Sequence, residues 1–158
     1  MVRESAGPAS FVRQADRPLP REVGCRSLTI KEIYAYSGLK PDLVISKLIA
    51  PSTAQIGQTI SILNVVKNYG GVKAGQSVTR FYLSKNAEIS PANDRFLGKR
   101  LIPELPSLTT STANTPVVIP ADVTPGTYFI GAVADAKKSV NEADEQNNVK
   151  VRKIIITD

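Results

Sequence analysis

Residues 135–148 hold the densest set of oxygen-bearing side chains in the chain, and such side chains bind hard cations. Calcium takes roughly six to eight oxygen ligands at about 2.4 Å, which a loop that bends back on itself can supply from carboxylates, amides and backbone carbonyls. We therefore predict a calcium site here, with Asp135, Glu142 and Glu145 as first ligands. The other candidate ligands in the segment are Asp144, Asn147 and Asn148.

A second interpretation of the same segment stays open. Asparagine side chains commonly hydrogen-bond the backbone of turns, so Asn147 and Asn148 also suit a polar loop without a metal. Lys137 and Lys138 reduce the local negative charge and favour this interpretation. Carboxylates that crowd one short loop repel each other unless a cation or a basic group is near, which favours calcium.

A weaker candidate lies in residues 84–94, where Asn86 and Asp94 are the possible metal ligands. The segment lacks the spacing and the terminal glutamate of an EF-hand loop, so a solvated hairpin loop is the simpler interpretation. From the sequence, the two segments could also converge on one ion.

Several kinds of chemistry are excluded by the residue types that the sequence lacks. It has no histidine, which removes the commonest general base, the usual zinc ligand and any Ser-His-Asp constellation. The single Cys25 excludes an internal disulfide and leaves an intermolecular bridge or a free thiol. Carboxylate pairs are present without a matching nucleophile, so we predict that the chain is not an enzyme.

The net charge of +6 is spread along the chain. Residues 1–40 carry seven basic and four acidic groups and the remainder carries thirteen and ten, so each part contributes +3. A nucleic-acid-binding surface usually concentrates its lysines and arginines in one stripe, so we predict no nucleic-acid partner. No apolar stretch reaches the roughly 18 residues of a membrane span, and we predict none.

Apolar runs that alternate with Gly, Pro, Asn and Ser clusters begin at Pro41 and continue to the end of the chain. Their lengths and punctuation are typical of the short strands of a β-sandwich. The sequence therefore predicts an all-β domain over residues 41–158, with about seven strands and no helix. The predicted strands are 42–50, 58–68, 77–84, 95–102, 115–119, 128–134 and 149–157.

Residues 1–40 are predicted to form an extended N-terminal arm. Prolines, glycines and scattered charges follow no helical or strand periodicity in residues 1–27. Residues 28–36 form a possible strand, with Leu28, Ile30, Tyr34 and Tyr36 on one face and Glu32 interrupting it. Such a strand can add to the open sheet edge of a neighbouring sandwich, and a repeated head-to-tail contact makes a filament. The predicted interaction residues are Leu28, Ile30, Ile33, Tyr34 and Tyr36.

Two alternatives for the arm stay open. It could fold back as an edge strand on its own domain, or it could be a linker from an adjacent module.

Six short motifs in sequence order resemble the CARDB family, whose name stands for cell adhesion related domain found in bacteria, and the closely related APHP domains. They are PDLVIS at 41–46, AQIGQT at 54–59, VKNYG at 66–70, FYLS at 81–84, PGTY at 125–128 and NEADEQNN at 141–148. The resemblance covers about residues 41–157. It implies an immunoglobulin-like sandwich of about seven strands, found on extracellular bacterial and archaeal proteins, often in tandem with other modules, and without catalytic residues.

One position departs from that pattern. Asn64 occupies an inward position between Ile62 and Val66, where an apolar residue is usual.

The sequence thus predicts a non-catalytic structural subunit of an extracellular or cell-surface assembly, either a homopolymer resembling a pilus or a set of tandem modules, with calcium as a stabilising ligand. A second hypothesis is an accessory domain that binds a polysaccharide or a surface protein. Carbohydrate-binding sandwiches usually expose aromatic rings, and this chain has no tryptophan and few tyrosines, among them Tyr69 and Tyr82.

Overall fold

The computed structural model describes residues 39–158, which fold into eight strands in two sheets and contain no helix. One sheet has the strand order β1-β3-β6, and the other has the order β2-β8-β7-β4-β5. The strands are β1 (Leu43–Ile49), β2 (Thr53–Gln55), β3 (Thr59–Asn68), β4 (Ser77–Ser84), β5 (Arg95–Ile102), β6 (Thr110–Val118), β7 (Gly126–Val133) and β8 (Val149–Thr157). The predicted all-β sandwich is confirmed.

The core lies between the two sheets and follows from the period of two in the strands. In β3, the side chains of Ile60, Ile62 and Val66 point inward and are at most 3% exposed. They meet inward side chains of the other sheet, such as Phe81 and Ile130, which are fully buried. Each large apolar side chain buried in this way contributes about 1.5–3 kcal/mol to folding.

Two strand assignments from the sequence were incomplete. The three residues of β2 pair in parallel with the end of β8, and so short a strand has no periodicity to detect. The sequence placed the start of β6 at residue 115, but β6 begins at Thr110. Its first half was missed because its inward positions include Ser111 and Ala113 rather than large apolar residues, so polar and apolar residues do not alternate there.

The inward position of Asn64 is explained by a buried polar network. Asn64 is fully buried, and its Nδ2 donates to Thr115 Oγ1 at 2.9 Å and to the Ala113 carbonyl at 3.1 Å. Its Oδ1 accepts a hydrogen bond from Arg100 Nη1 at 2.7 Å. Arg100 also donates to the side chain of Ser111, so the network joins β3, β5 and β6 across the two sheets. Burial lowers the pKa of Arg100.

The opposite side of the sandwich is also closed by basic side chains. Lys150 Nζ donates to the carbonyl of Ser46 at 2.8 Å, and Arg152 Nε donates to the carbonyl of Leu48 at 2.8 Å. Both acceptors belong to β1, which pairs only with β3 among the described strands. The two side chains therefore reach from β8 to the edge strand of the other sheet.

The two oxygen-rich loops lie at opposite ends of the sandwich. Residues 85–94 follow β4, whose end pairs with Phe129 in the first half of β7. Residues 134–148 follow the end of β7, and Ala136 N donates to the carbonyl of Val78 near the start of β4. Because of this separation the two loops cannot hold one ion together, and the interpretation from the sequence that they converge on one ion is wrong.

The chain enters the sandwich at the end that carries residues 134–148. Ala143 N donates to the carbonyl of Pro41 at 2.8 Å, and Tyr69 N donates to the carbonyl of Asp42 at 2.7 Å. The predicted donor strand at 28–36, with all its interaction residues, lies outside the described residues.

Gly70 is required for this entry. A Cβ atom on Gly70 would lie 2.3 Å from the carbonyl oxygen of Lys40 and 2.4 Å from the Cα of Pro41. Real Cβ atoms do not approach backbone atoms so closely, so either the turn or the entering segment would have to move. Gly75 is a matched control, because a Cβ there meets no atom within 4 Å.

We therefore expect Gly70→Ala to lower the free energy of unfolding by about 1–3 kcal/mol, as overpacking does elsewhere, and Gly75→Ala to change it by less than about 0.5 kcal/mol. Urea denaturation followed by circular dichroism measures both values. Equal midpoints for the two variants would show that residues 40 and 41 are not held in this position.

Candidate functional site

The candidate site is the end of the sandwich through which the chain enters, and we call it the entry end. It consists of residues 39–43, the 68–71 turn and the 134–148 loop. The loop joins β7 to β8, so its two ends are fixed by neighbouring strands of one sheet, while β1 and β3 bring the other two segments from the other sheet.

Glu142 is the central residue of the entry end. Its side chain is 2% exposed although it belongs to a loop. Oε2 accepts the backbone N–H of Leu43 at 2.5 Å, and Oε1 accepts Nδ2 of Asn148 at 2.8 Å. The carboxyl group therefore ties the first residue of β1 to the residue that precedes β8.

The position of Glu142 changes its acidity. Burial raises its pKa from the ordinary value of 4.5 to about 7, and the charges of Asp135 and Glu145 add to the increase. The hydrogen bonds from Leu43 and Asn148 act in the opposite direction, because they stabilise the charged form. The entry end thus contains a carboxyl group that exchanges its proton near neutral pH.

Asp135 shapes the beginning of the loop. It is 3% exposed and has a φ of 37°, an uncommon backbone conformation for a residue other than glycine. Its Oδ1 accepts the backbone N–H and the hydroxyl of Ser139, and its Oδ2 accepts the N–H of Val140 at 2.8 Å. Both carboxylate oxygens are therefore used to bend the chain back on itself.

The two other acidic residues of the loop are exposed. Asp144 Oδ1 accepts the N–H of Gln146 at 2.8 Å, and Glu145 Oε1 accepts the N–H of Glu142 at 3.1 Å. Each carboxylate stabilises a tight turn through one of its oxygens. Within residues 39–158, no three acidic side chains come together as a preformed metal cluster.

The two asparagines that precede β8 leave acceptors without donors. Asn147 Nδ2 donates to Asp42 Oδ1 at 2.9 Å, while Asn148 Nδ2 donates to Glu142. These bonds fix the orientation of both amides, and each Oδ1 is buried without a hydrogen-bond partner in the described part of the chain. A buried amide oxygen without a donor is costly, so these two atoms suit a cation, a water molecule or another hydrogen-bond donor.

Asn68 is an important residue of the entry end that was not predicted from the sequence. It is fully buried at the end of β3, where its Oδ1 accepts the N–H groups of Asp42 and Gly70. Its Nδ2 donates to the carbonyls of Val72 at 2.7 Å and Leu105 at 3.0 Å. An asparagine directly before a Tyr-Gly-Gly turn is the signal that could have indicated it.

The second predicted loop lies at the other end and forms ordinary turns. Asn86 Oδ1 accepts the N–H of Glu88 at 2.9 Å, and Asp94 Oδ2 accepts the N–H of Ser90 at 2.6 Å. Both residues line an open cleft of 670 Å³, together with Arg95.

Comparison with known proteins identifies the family. The CARDB family model matches residues 40–152, which is well over half of the chain. This chain belongs to the CARDB family. The expected resemblance is therefore confirmed, and membership supports a role as a surface or adhesion-related module.

Solved structures agree with the CARDB assignment at the level of the fold. The crystal structure of a CARDB domain from Pyrococcus furiosus, in complex with di-metal ions, superposes with a TM-score of 0.58 at 21% identity, and the match covers 75% of this chain and 90% of that one. A β-glucosidase from Listeria innocua in complex with glucose gives a TM-score of 0.51 at 17% identity, and the match covers 76% of this chain but only 16% of the glucosidase. A search of curated proteins finds no match.

The CARDB domain described here contains, within residues 39–158, no helix long and apolar enough to cross a membrane.

The pKa of Glu142 predicts how the stability of the CARDB domain depends on pH. Because the native pKa of about 7 exceeds the ordinary value of 4.5, the folded protein binds the proton more tightly than the unfolded chain. This contribution to stability is complete below about pH 4.5 and is lost as the pH rises through about 7.

We expect the Glu142→Gln variant to lose this decline, since its side chain has no proton to release over that range. Urea denaturation at a series of pH values measures the difference, with Glu104→Gln as a control at an exposed glutamate. A variant whose stability still followed the wild-type curve between pH 4.5 and 7 would assign the decline to another group.

Proposed function

We propose that this CARDB chain is a non-catalytic structural module of an extracellular, cell-surface assembly. In this proposal, residues 28–36 of one copy add to a free sheet edge of the next, and repetition of the contact builds a homopolymeric filament. Calcium bound at the 135–148 loop stabilises the entry end.

The observation that carries the proposal is the way the chain is held where it enters the sandwich. Four consecutive residues, 40–43, are held by hydrogen bonds. Lys40 Nζ donates to Asn141 Oδ1 at 2.9 Å, and the N–H of Asp42 donates to Asn68 Oδ1 at 3.0 Å. The bonds of Pro41 and Leu43 to the 142–143 segment complete the set. The preceding residues thus start from a fixed point, which a segment that transmits force to a neighbour requires.

The family assignment supports a cohesive role. CARDB domains are adhesion-related and non-catalytic, and this chain lacks the histidine on which many hydrolytic sites depend. The glucosidases with similar folds do not argue for catalysis, because the match covers only 16% of their chains.

Calcium is supported by the unused oxygens of the loop. Asn147 Oδ1 and Asn148 Oδ1 would be its buried ligands, and the free carboxylate oxygens of Asp144 and Glu145 would supply charge from the exposed side. A bound calcium ion would offset the repulsion between the carboxylates of the loop. The related CARDB domain from Pyrococcus furiosus was solved with di-metal ions, which is consistent with a metal-binding role for this fold.

The cleft at the other end favours a second candidate, an accessory domain that binds a polysaccharide or a surface protein. Lys85, Arg95 and Asn93 provide hydrogen-bond donors there. The aromatic residue of the cleft, Tyr128, is 5% exposed and its ring lies under Lys85, so it offers little surface for stacking on a sugar. We therefore place this function second.

Deletion of residues 1–36 tests the assembly. We expect a folded protein that sediments as a monomer at concentrations where the full chain associates, because the sandwich core is built from residues after Leu39. Sedimentation velocity measures the association, and circular dichroism checks the fold. A truncated protein that associates as strongly as the full chain would refute the role of the arm.

Thermal melts with calcium and with a chelator test the metal. We expect calcium to raise the melting temperature of the full chain by several degrees. The increase should be smaller at pH 5.5 than at pH 8, because Glu142 is protonated below its pKa of about 7 and then no longer attracts the cation with a negative charge. Asn148→Asp retains an oxygen ligand and should keep the effect, whereas Asn148→Ala should remove it. Identical melts of the wild type under all conditions would exclude a calcium site.

A further inference from the structure

The outward face of β5 presents a short row of exposed side chains. Phe96 is 49% exposed, Leu101 is 72% exposed, and Lys99 between them is also exposed. A bulge between residues 96 and 98 keeps these three side chains on one face, opposite Tyr82, Arg80 and Val78 of β4. The order along the strand is therefore apolar, basic, apolar.

The strand β5 is also an edge. It is the last strand of its sheet, and within residues 39–158 it pairs only with β4. A strand added there would form backbone hydrogen bonds with β5, and its outward side chains would lie beside Phe96, Lys99 and Leu101.

The other edges of the sandwich are less suitable. The carbonyls of Ser46 and Leu48 in β1 already accept hydrogen bonds from β8. The strand β2 has only three residues. The strand β6 contains Pro116, which has no N–H to donate. Among its outward side chains only Val118, at the end of the strand, is a large apolar one, and Thr112 and Asn114 are polar.

The possible strand at 28–36 has the complementary order. In an extended segment, Ile30, Glu32 and Tyr34 lie on one face, so the order is apolar, acidic, apolar. Glu32, which interrupts the apolar alternation of this segment, is the central residue of the three. Whether the segment runs parallel or antiparallel to β5, Glu32 can therefore face Lys99 while the two apolar residues face Phe96 and Leu101.

We propose that residues 28–36 of a neighbouring copy add to the free edge of β5, with Glu32 paired to Lys99 and with Ile30 and Tyr34 packed against Phe96 and Leu101. This inference rests on the proposed function and names the surface that the arm uses. The guanidinium of Arg80, which lies opposite Lys99 in the sheet, adds a second positive charge near Glu32.

Lys99 also makes the edge selective. A lysine on an edge strand and a bulge both discourage nonspecific pairing between sheets. A strand with an acidic residue at the central position compensates the positive charge, whereas an apolar strand would leave Lys99 without a partner and a second copy of β5 would place two lysines together.

Charge reversal tests the pairing in the full chain. Lys99→Glu and Glu32→Lys should each weaken association by about tenfold, because each places like charges opposite each other, and the double variant should recover most of the loss. Lys47→Glu is the matched control, since Lys47 is an exposed lysine in a strand of the other sheet and its reversal changes the net charge equally. Sedimentation velocity at one fixed salt and calcium concentration measures all four.

The fold of each variant is checked by circular dichroism, and Leu101→Ser serves as a second surface variant if Lys99→Glu does not fold. Loss of association in Leu101→Ser supports the same edge.

Full association of both Lys99→Glu and Leu101→Ser, together with loss of association on deletion of residues 1–36, would overturn this inference and leave the proposed function intact. Full association of the deletion variant would overturn both. The last outcome is a full chain that stays monomeric and whose melting temperature these variants lower. It would show that the arm pairs with its own β5, and it would also overturn the inference.

Discussion

The entry end depends on one buried carboxyl group. Glu142 accepts the N–H of Leu43 with one oxygen and the amide of Asn148 with the other, so it joins the start of β1 to the start of β8. Without that acceptor, the N–H of Leu43 would be buried without a partner at the first residue of an edge strand. The same carboxyl group orients Asn148, and through the neighbouring Asn147 the loop also reaches Asp42. One side chain therefore helps fix the position of the start of β1 and the geometry of the candidate metal ligands.

Basic side chains solve a related problem along the two long sides of the sandwich. A two-sheet sandwich has open edges, and their carbonyl groups need donors. Lys150 and Arg152 supply donors to β1, while Arg100 supplies donors to Asn64 and Ser111 between β5 and β6. Part of the positive charge of the chain thus has a structural use inside the domain, which fits its even distribution along the sequence. The edge strand β5, by contrast, keeps two large apolar side chains exposed, Phe96 and Leu101.

Much of the fold could be predicted from the sequence because most strands alternate clearly and end at Gly, Pro or Asn. The alternation of polar and apolar residues fails where the interior is polar. The first half of β6 faces Arg100 and Asn64, so its inward residues are small or polar, as in a loop. The short β2 could not be predicted because its existence depends on the neighbouring end of β8 rather than on its own residues. At the candidate site, the sequence pointed to the 135–148 loop but could not tell Asp135, which bends the loop, from Asn147 and Asn148, whose oxygens remain unpaired. That distinction depends on burial and on partners distant in sequence, such as Asp42.

Proton binding and metal binding at the entry end are expected to oppose each other. A protonated Glu142 can donate its proton to Asn148 Oδ1 after rotation of the amide, which would satisfy the unpaired oxygen without a metal. A cation bound to that oxygen instead favours the charged form of Glu142 and lowers its pKa from about 7. If calcium binds as proposed, the same buried amide serves two states, one protonated and one metal-bound. In both states Glu142 could keep the hydrogen bond from Leu43, because that bond uses its other carboxyl oxygen.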